Sequence, residues 1–182
     1  PVDYRLKLLT SDRARNVVRA AAQMADWGRK RDGTALGIAF SELHTSIVAG
    51  VAEVSVDADG KIKVHNFWMA ADPGIALQPD NIVAQMESNI VYGLSQALKE
   101  QATFADGVVQ QSNFHDYEVF RQEDVPNIEV KVMAQGGIAG GIGELGLPPT
   151  APAVANAVRA LNGTVLAHMP FTPERVKAAM KG

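Results

Sequence analysis

The chain contains no cysteine, which removes disulfides, thiolate metal sites and cysteine-ligated iron–sulfur clusters from what its 182 residues can build. That absence says nothing about the redox compartment. Charge of one sign is also lacking: a net charge of −3 gives no electrostatic footprint for nucleic acid or an anionic membrane surface. His44, His65, His115 and His168 stand singly, with no pair at ligand spacing, so no metal ligand is assigned to this chain. No apolar run approaches the roughly 20 residues that a membrane span needs. Internal repeats and low-complexity segments are missing too. The opening Pro1-Val-Asp-Tyr-Arg5 has neither a methionine nor the basic segment and apolar core of a signal peptide. A processed product, a cleaved half or an excised piece fits such a start, and a missing N-terminal companion fits it as well. The compartment, cytoplasmic or periplasmic, stays open.

What is present suits one domain, or a large piece of one, able to bury a real core: 47% of residues are apolar and 20% charged. Ser11-Asp-Arg-Ala14 reads as a helix start with Ser11 as N-cap. Val17, Val18, Ala21, Met24 and Ala25 follow at helical spacing, and Gly28 is the expected stop. Leu36 to Val56 turns to strand, Asp57-Ala-Asp-Gly60 is a hairpin turn, and Ile62 to Ala70 returns as a second strand. A turn-rich connection from Ala71 to Asn81 leads into a long helix from about Ile82 to Gln101. Gly107 to Gln122 has no period and reads as an ordered loop, and Ile128 to Ala134 alternates as a strand. Pro148-Pro149 suit a helix's first turn, Ala151 to Leu161 continue that helix, and Asn162-Gly163 end it. Thr172-Pro-Glu174 opens a last helix ending near Gly182. The predicted class is α+β, with antiparallel hairpins packed with helices.

Most of the chemistry sits between Gln135 and Val158, in Gln-Gly-Gly-Ile-Ala-Gly-Gly-Ile-Gly-Glu144-Leu-Gly-Leu-Pro-Pro and its continuation. Glu144 is a carboxylate among glycines and apolar residues, ahead of a marked helix start. Desolvation raises a carboxylate's pKa toward the range of a useful general base. Glycines let backbone, cofactor and substrate approach closely. Gly141-x-Gly143-x-x-Gly146 also has the letters of a dinucleotide fingerprint. Three features oppose that reading. Glu144 would put negative charge in a pyrophosphate loop, Pro148 and Pro149 remove donors from the helix N-terminus, and Gly163 to Pro170 contain no acidic residue for a ribose. On the residues alone, a solvated glycine-rich turn stands beside the catalytic reading.

Gly143-Glu144 followed by Gly-x-Pro-Pro-x-Ala-Pro-Ala-x-Ala-Asn-Ala closely resembles the C-terminal catalytic segment of the molybdenum hydroxylases, the family of xanthine dehydrogenase and the aldehyde oxidoreductases. The branch of isoquinoline 1-oxidoreductase large subunits and bacterial aldehyde dehydrogenases looks nearest. The resemblance continues upstream through Gly37-Ile-Ala-Phe-Ser-Glu42 and Val48 to Val54, which resemble the family's strand pair. Ala71-Asp72-Pro-Gly, Gln85-Met-Glu87, Ile90 to Leu98 and Asn113-Phe-His-Asp-Tyr117 extend it further.

The resemblance implies the C-terminal part of a molybdopterin-binding domain, with residues 1–182 a single domain or the C-terminal fragment of a larger subunit. It implies Glu144 as general base beside a molybdenum-bound hydroxyl, with Gln85, Gly141 and Gly143 contacting cofactor. It implies oxidation of an aldehyde or N-heteroaromatic carbon with water as oxygen source, and molybdenum–molybdopterin in the cytosine dinucleotide form. Expected partners are the N-terminal portion of the molybdopterin subunit and a small [2Fe–2S] subunit that takes the electrons, with room for a further electron-transfer subunit. Two departures stand out: Leu145 where the family commonly has proline, and Ser88-Asn89 where it favours glycine. They support an alternative, a non-catalytic structural or assembly module of the same fold. Glu87 is read as structural or solvated, His44 and His115 as structural, and Trp27, Trp68 and Tyr92 as core or interface residues.

Overall fold

The computed structural model describes residues 1–181. Helix α1 (Val2–Leu8) lies against α2 (Asp12–Met24), whose Ser11 N-cap accepts from the Ala14 N–H at 3.4 Å. Ala14, Val17, Val18 and Ala21 form the buried stripe of α2, at the spacing of one helical face. The periodicity gives no sign of α1, whose one buried residue is Val2. The left-handed residue after α2 is Asp26, at φ 45°, and not Gly28. Aspartate tolerates that region because its short polar side chain bonds locally.

The strand-like stretch from Leu36 to Val56 is two strands, β1 (Ala35–Leu43) and β2 (Ser46–Val56), folded back through the two-residue turn His44-Thr45. Both turn residues have positive φ, 50° and 66°, as a primed hairpin turn demands. Neither is the Gly, Asn or Asp that usually signals such a turn. β3 (Ile62–Asp72) follows, then the long helix α3 (Pro79–Leu98). A small exposed hairpin comes next, β4 (Phe104–Ala105) with β5 (Val108–Val109). β6 (Asn127–Val132), α4 (Leu147–Asn162) and α5 (Pro173–Ala179) complete the chain. The end of the last helix expected near Gly182 lies outside the described residues.

The main sheet has the order β1-β2-β3-β6, with antiparallel pairs β1/β2 and β2/β3 and a parallel pair β3/β6. The parallel pair is absent from a reading built on hairpins; α3 provides the long crossover that parallel strands require. β2 is buried on both faces. Ile47, Ala49 and Val51 pack toward α2, while Val48, Ala52 and Val54 pack with Met86, Ile90 and Leu94 of α3 and Ala153, Val154 and Ala157 of α4. The result is helix on either side of one sheet, an α+β architecture.

Gly37 sets how closely α4 lies on β1. A Cβ there would stand 2.1 Å from both the Ala153 oxygen and the Ala157 nitrogen, and Asn156 Nδ2 donates to the Ile38 carbonyl at 3.0 Å. The middle of α4 is therefore registered on β1.

The far end of β3 is fixed by Asp72, which has no exposed surface. Its Oδ2 accepts from Arg13 Nε at 2.5 Å and from Gln135 Nε2 at 2.8 Å; its Oδ1 accepts from the Gly74 N–H at 2.9 Å. Arg13 also donates to the Thr45 carbonyl at 2.9 Å and to the Asp72 carbonyl at 2.9 Å. One ion pair so joins α2, the His44-Thr45 turn, the end of β3 and the start of the glycine segment. Arg13→Ala leaves a buried carboxylate without its cation and is expected to cost about 3 kcal/mol in denaturant unfolding.

Burial raises the proton affinity of Glu53, but hydrogen bonds from Thr34 and Asn66 and the Arg31 guanidinium outweigh it and hold its pKa below the ordinary glutamate value. This stabilisation is complete above the unfolded-state pKa and is lost as pH falls through the lower folded-state pKa. Melting curves against pH should show a gap between wild type and Glu53→Gln at neutral pH that narrows on acidification below the glutamate range.

Candidate active site

The segment from Gln135 to Gly146 runs from β6 to α4 across two tight turns. Gly136 N–H donates to Gly74 O at 3.0 Å, Gly140 N–H to Pro73 O at 2.8 Å and Gly141 N–H to His44 O at 3.1 Å. Gly140 is required by proximity: a Cβ there would meet Ser46 Oγ at 2.2 Å and the His44 oxygen at 2.8 Å.

Glu144 stands where this segment enters α4. Leu145, the next residue, is 1% exposed and belongs to the core cluster, so the chain is anchored there by an apolar side chain. Asn89 of α3 holds the turn on both sides. Its Nδ2 donates to Gly143 O at 2.8 Å, and its Oδ1 accepts from Gly146 N–H at 2.7 Å. Leu147 N–H donates to Glu144 O at 3.1 Å, and Thr150 Oγ1 donates to Gly146 O at 2.8 Å. Both departures noted in the sequence thus shape the turn that carries the carboxylate.

A cleft of about 430 Å³ opens at this point, lined by Leu43, His44, Gly141, Gly143, Glu144 and Leu145. Glu144 itself is exposed. Gly141 and Gly143 beside it have no side chains to exclude water, so this chain by itself does not desolvate the carboxylate. Gly141 and Gly143 line the cleft with Glu144, and a Cβ at Gly143 would meet nothing within 4 Å, so the surface there is open.

Gln85 is exposed on α3, outside the cleft lining and one helical turn before Asn89. Glu87 is exposed. His44, read as structural, lines the cleft, because the unsignalled turn carries it there. His115 lies at the exposed loop Ser112–Tyr117, which Asp116 organises. Backbone N–H groups of Asn113 and Ser112 hold the Asp116 carboxyl down to about 2. Trp27 and Trp68 are half-buried beside the α2 cluster, whereas Tyr92 is 61% exposed and is no core residue. Asn89 was missed because an asparagine within a helical pattern carries no sign of what it reaches. Among the described residues, no three His, Cys, Asp or Glu side chains are grouped to hold a metal ion, and no helix is long and apolar enough to cross a membrane.

A family model described as the molybdopterin cofactor-binding domain matches residues 14–126. The chain is 40% identical over 188 residues to the β-subunit of isoquinoline 1-oxidoreductase from Brevundimonas diminuta, an alignment covering 100% of this chain and 24% of that protein. It is 31% identical over 202 residues to a nicotinate dehydrogenase subunit of Pseudomonas putida, covering 100% of this chain and 17% of that one. It therefore spans about a quarter or less of the length of these curated relatives. The solved structure of quinoline 2-oxidoreductase from Pseudomonas putida 86 matches 75% of this chain and 19% of its own, with a TM-score of 0.68 and 25% identity. The aldehyde oxidoreductase of Desulfovibrio gigas shares the fold at a TM-score of 0.66 and 23% identity, over 75% of this chain and 16% of its own.

The two ends of the glycine segment should respond differently to an added methyl group. Gly140→Ala is expected to lower stability by about 1–3 kcal/mol through overpacking. Gly143→Ala, directed into open space, should leave the denaturation midpoint within error of wild type.

Proposed function

This chain belongs to the molybdopterin cofactor-binding domain family, and from that premise we propose that it forms one wall of the active site of a molybdenum-dependent oxidoreductase, with Glu144 as general base. The observation that carries the reading is the turn at Gly143–Gly146. Asn89 and Leu145 fix its backbone, and Glu144 is left projecting at an open, glycine-lined cleft. The residues fit a large cofactor laid against this face: Gly141 and Gly143 offer backbone without side chains, and Gln85 offers an exposed amide on the neighbouring helix.

The overall reaction replaces a C–H hydrogen with an oxygen from water and releases two protons and two electrons. When bound, the molybdopterin takes up the two electrons. Glu144 accepts a proton from the water-derived oxygen through a carboxylate oxygen, so the nucleophile is formed where the substrate carbon lies. Removing water from around a carboxylate increases its proton affinity, and this drying falls to a covering lobe, because the chain's own glycines leave Glu144 exposed. The substrate class is an electron-poor N-heteroaromatic ring, supported by relatives named for isoquinoline and nicotinate. An aldehyde is the second candidate.

Residues 1–182 form, on this reading, the C-terminal portion of a larger subunit: the share of its relatives that the chain spans supports the larger subunit, and the resemblance of the Gly143–Ala157 segment supports the C-terminal position. The cofactor is the cytosine dinucleotide form. Having no cysteine, the chain passes the electrons to [2Fe–2S] clusters on a small partner subunit and from there to any further electron-transfer subunit.

The test is purification of the full-length protein with its native partner chains, metal analysis, and comparison with Glu144→Gln. An active complex without molybdenum would overturn the reading. Glu144→Gln keeps the shape of the side chain and removes the base, so kcat is expected to fall roughly 100- to 10,000-fold. A fall of less than about tenfold removes Glu144 from the role and favours the non-catalytic module.

A further inference from the structure

We propose that Asn89 is a positioning residue for Glu144, tying helix α3 to the turn that presents the carboxylate; this rests on the general-base reading above. Asn89 is 4% exposed and lies within a 20-residue helix, an interior position where asparagine is a poor choice on propensity alone. A buried amide also needs partners for both of its ends. Those partners lie outside α3. The Nδ2 donates to Gly143 O and the Oδ1 accepts from Gly146 N–H, at 2.8 and 2.7 Å. Only Glu144 and Leu145 lie between the two clamped backbone groups. Leu145 is held in the core at 1% exposed, while Glu144 beside it stays exposed at the cleft.

The clamp also links two elements that the proposed function needs together. Gln85 precedes Asn89 by four residues, about 6 Å along the helix axis and on the same stripe. The helix that presents the Gln85 amide and the turn that presents Glu144 are thereby one mechanical unit. A leucine at position 89 would match asparagine's bulk but would leave a carbonyl and an N–H beside Glu144 unpaired.

The test uses the full-length protein with its native partner chains, in four forms: wild type, Asn89→Leu, Glu144→Gln and the double variant. Amide hydrogen exchange of residues 141–147 is followed by mass spectrometry beside kcat and KM. Asn89→Leu is expected to speed exchange across this stretch at least about tenfold while β1 and β2 keep their protection. It should lower kcat about tenfold or more with KM within about twofold, and add less than about twofold in the Glu144→Gln background, because it acts through that carboxylate. Unchanged exchange, or the same rate penalty in both backgrounds, would overturn the proposal. If Asn89→Leu fails to fold, Asn89→Ala removes both hydrogen bonds without adding bulk or charge, and the same readouts apply. Should Glu144→Gln alone leave turnover intact, the base reading falls, and the exchange measurement by itself upholds or overturns the hold of Asn89 on the turn.

Discussion

A carboxylate with no exposed surface is costly unless charge and hydrogen bonds around it are complete, and Asp72 meets that condition with donors from three separate stretches of chain. Arg13 comes from α2, Gly74 from the turn that follows β3, and Gln135 from the start of the glycine segment. Asn16 adds to the last of these by donating to Gln135 Oε1 at 2.9 Å. Each donor is useful to Asp72 only if its own segment is in place. Because Arg13 reaches the Thr45 carbonyl as well, the same pair fixes the turn that carries His44. The ion pair thus steadies the turn that brings His44 to the cleft, and Asn89 steadies the turn that brings Glu144 there.

What could be read from the sequence follows from how local its causes are. The Ser11 and Thr172 caps, the prolines opening α4 and the left-handed Gly163 closing it depend on a few adjacent residues, and the structure shows all four. The His44-Thr45 turn hid because its positive φ values are imposed by the pairing of β1 with β2 and not by a permissive residue. α1 hid because a seven-residue helix with one buried side chain has almost no period to show. The parallel pairing of β6 with β3 is a tertiary fact with no local mark.

The candidate site divides in the same way. Glu144, Gly141 and Gly143 were legible because their setting is one continuous segment, and they do share one cleft. The exposure of Glu144 was not, since dryness depends on whatever covers the glycines. The two departures from the family pattern looked like losses while they were only letters. In the fold, Leu145 is a core anchor and Asn89 a clamp, and both act on the backbone that bears the carboxylate. Gln85 stands on the neighbouring helix, one turn from that clamp and outside the cleft itself.

The resting places of the glycine segment have a consequence for biosynthesis. His44, Pro73, Gly74 and Asn89 all precede it in the chain, so a ribosome has already released the strands, the turns and α3 before Gly136 to Gly146 emerge. Only α4, with Thr150, comes afterwards. The partners of the segment in β1 to β3 and α3 are thus synthesised before it, whereas α4, which closes the core around Met86, Ile90 and Leu94, is synthesised after it. The contacts that seat it span sequence separations of 54 and 57 residues to Asn89, the kind of closure that comes late in folding. Glu144 is seated between partners made before it and a helix made after it, so its setting closes only when α4 docks.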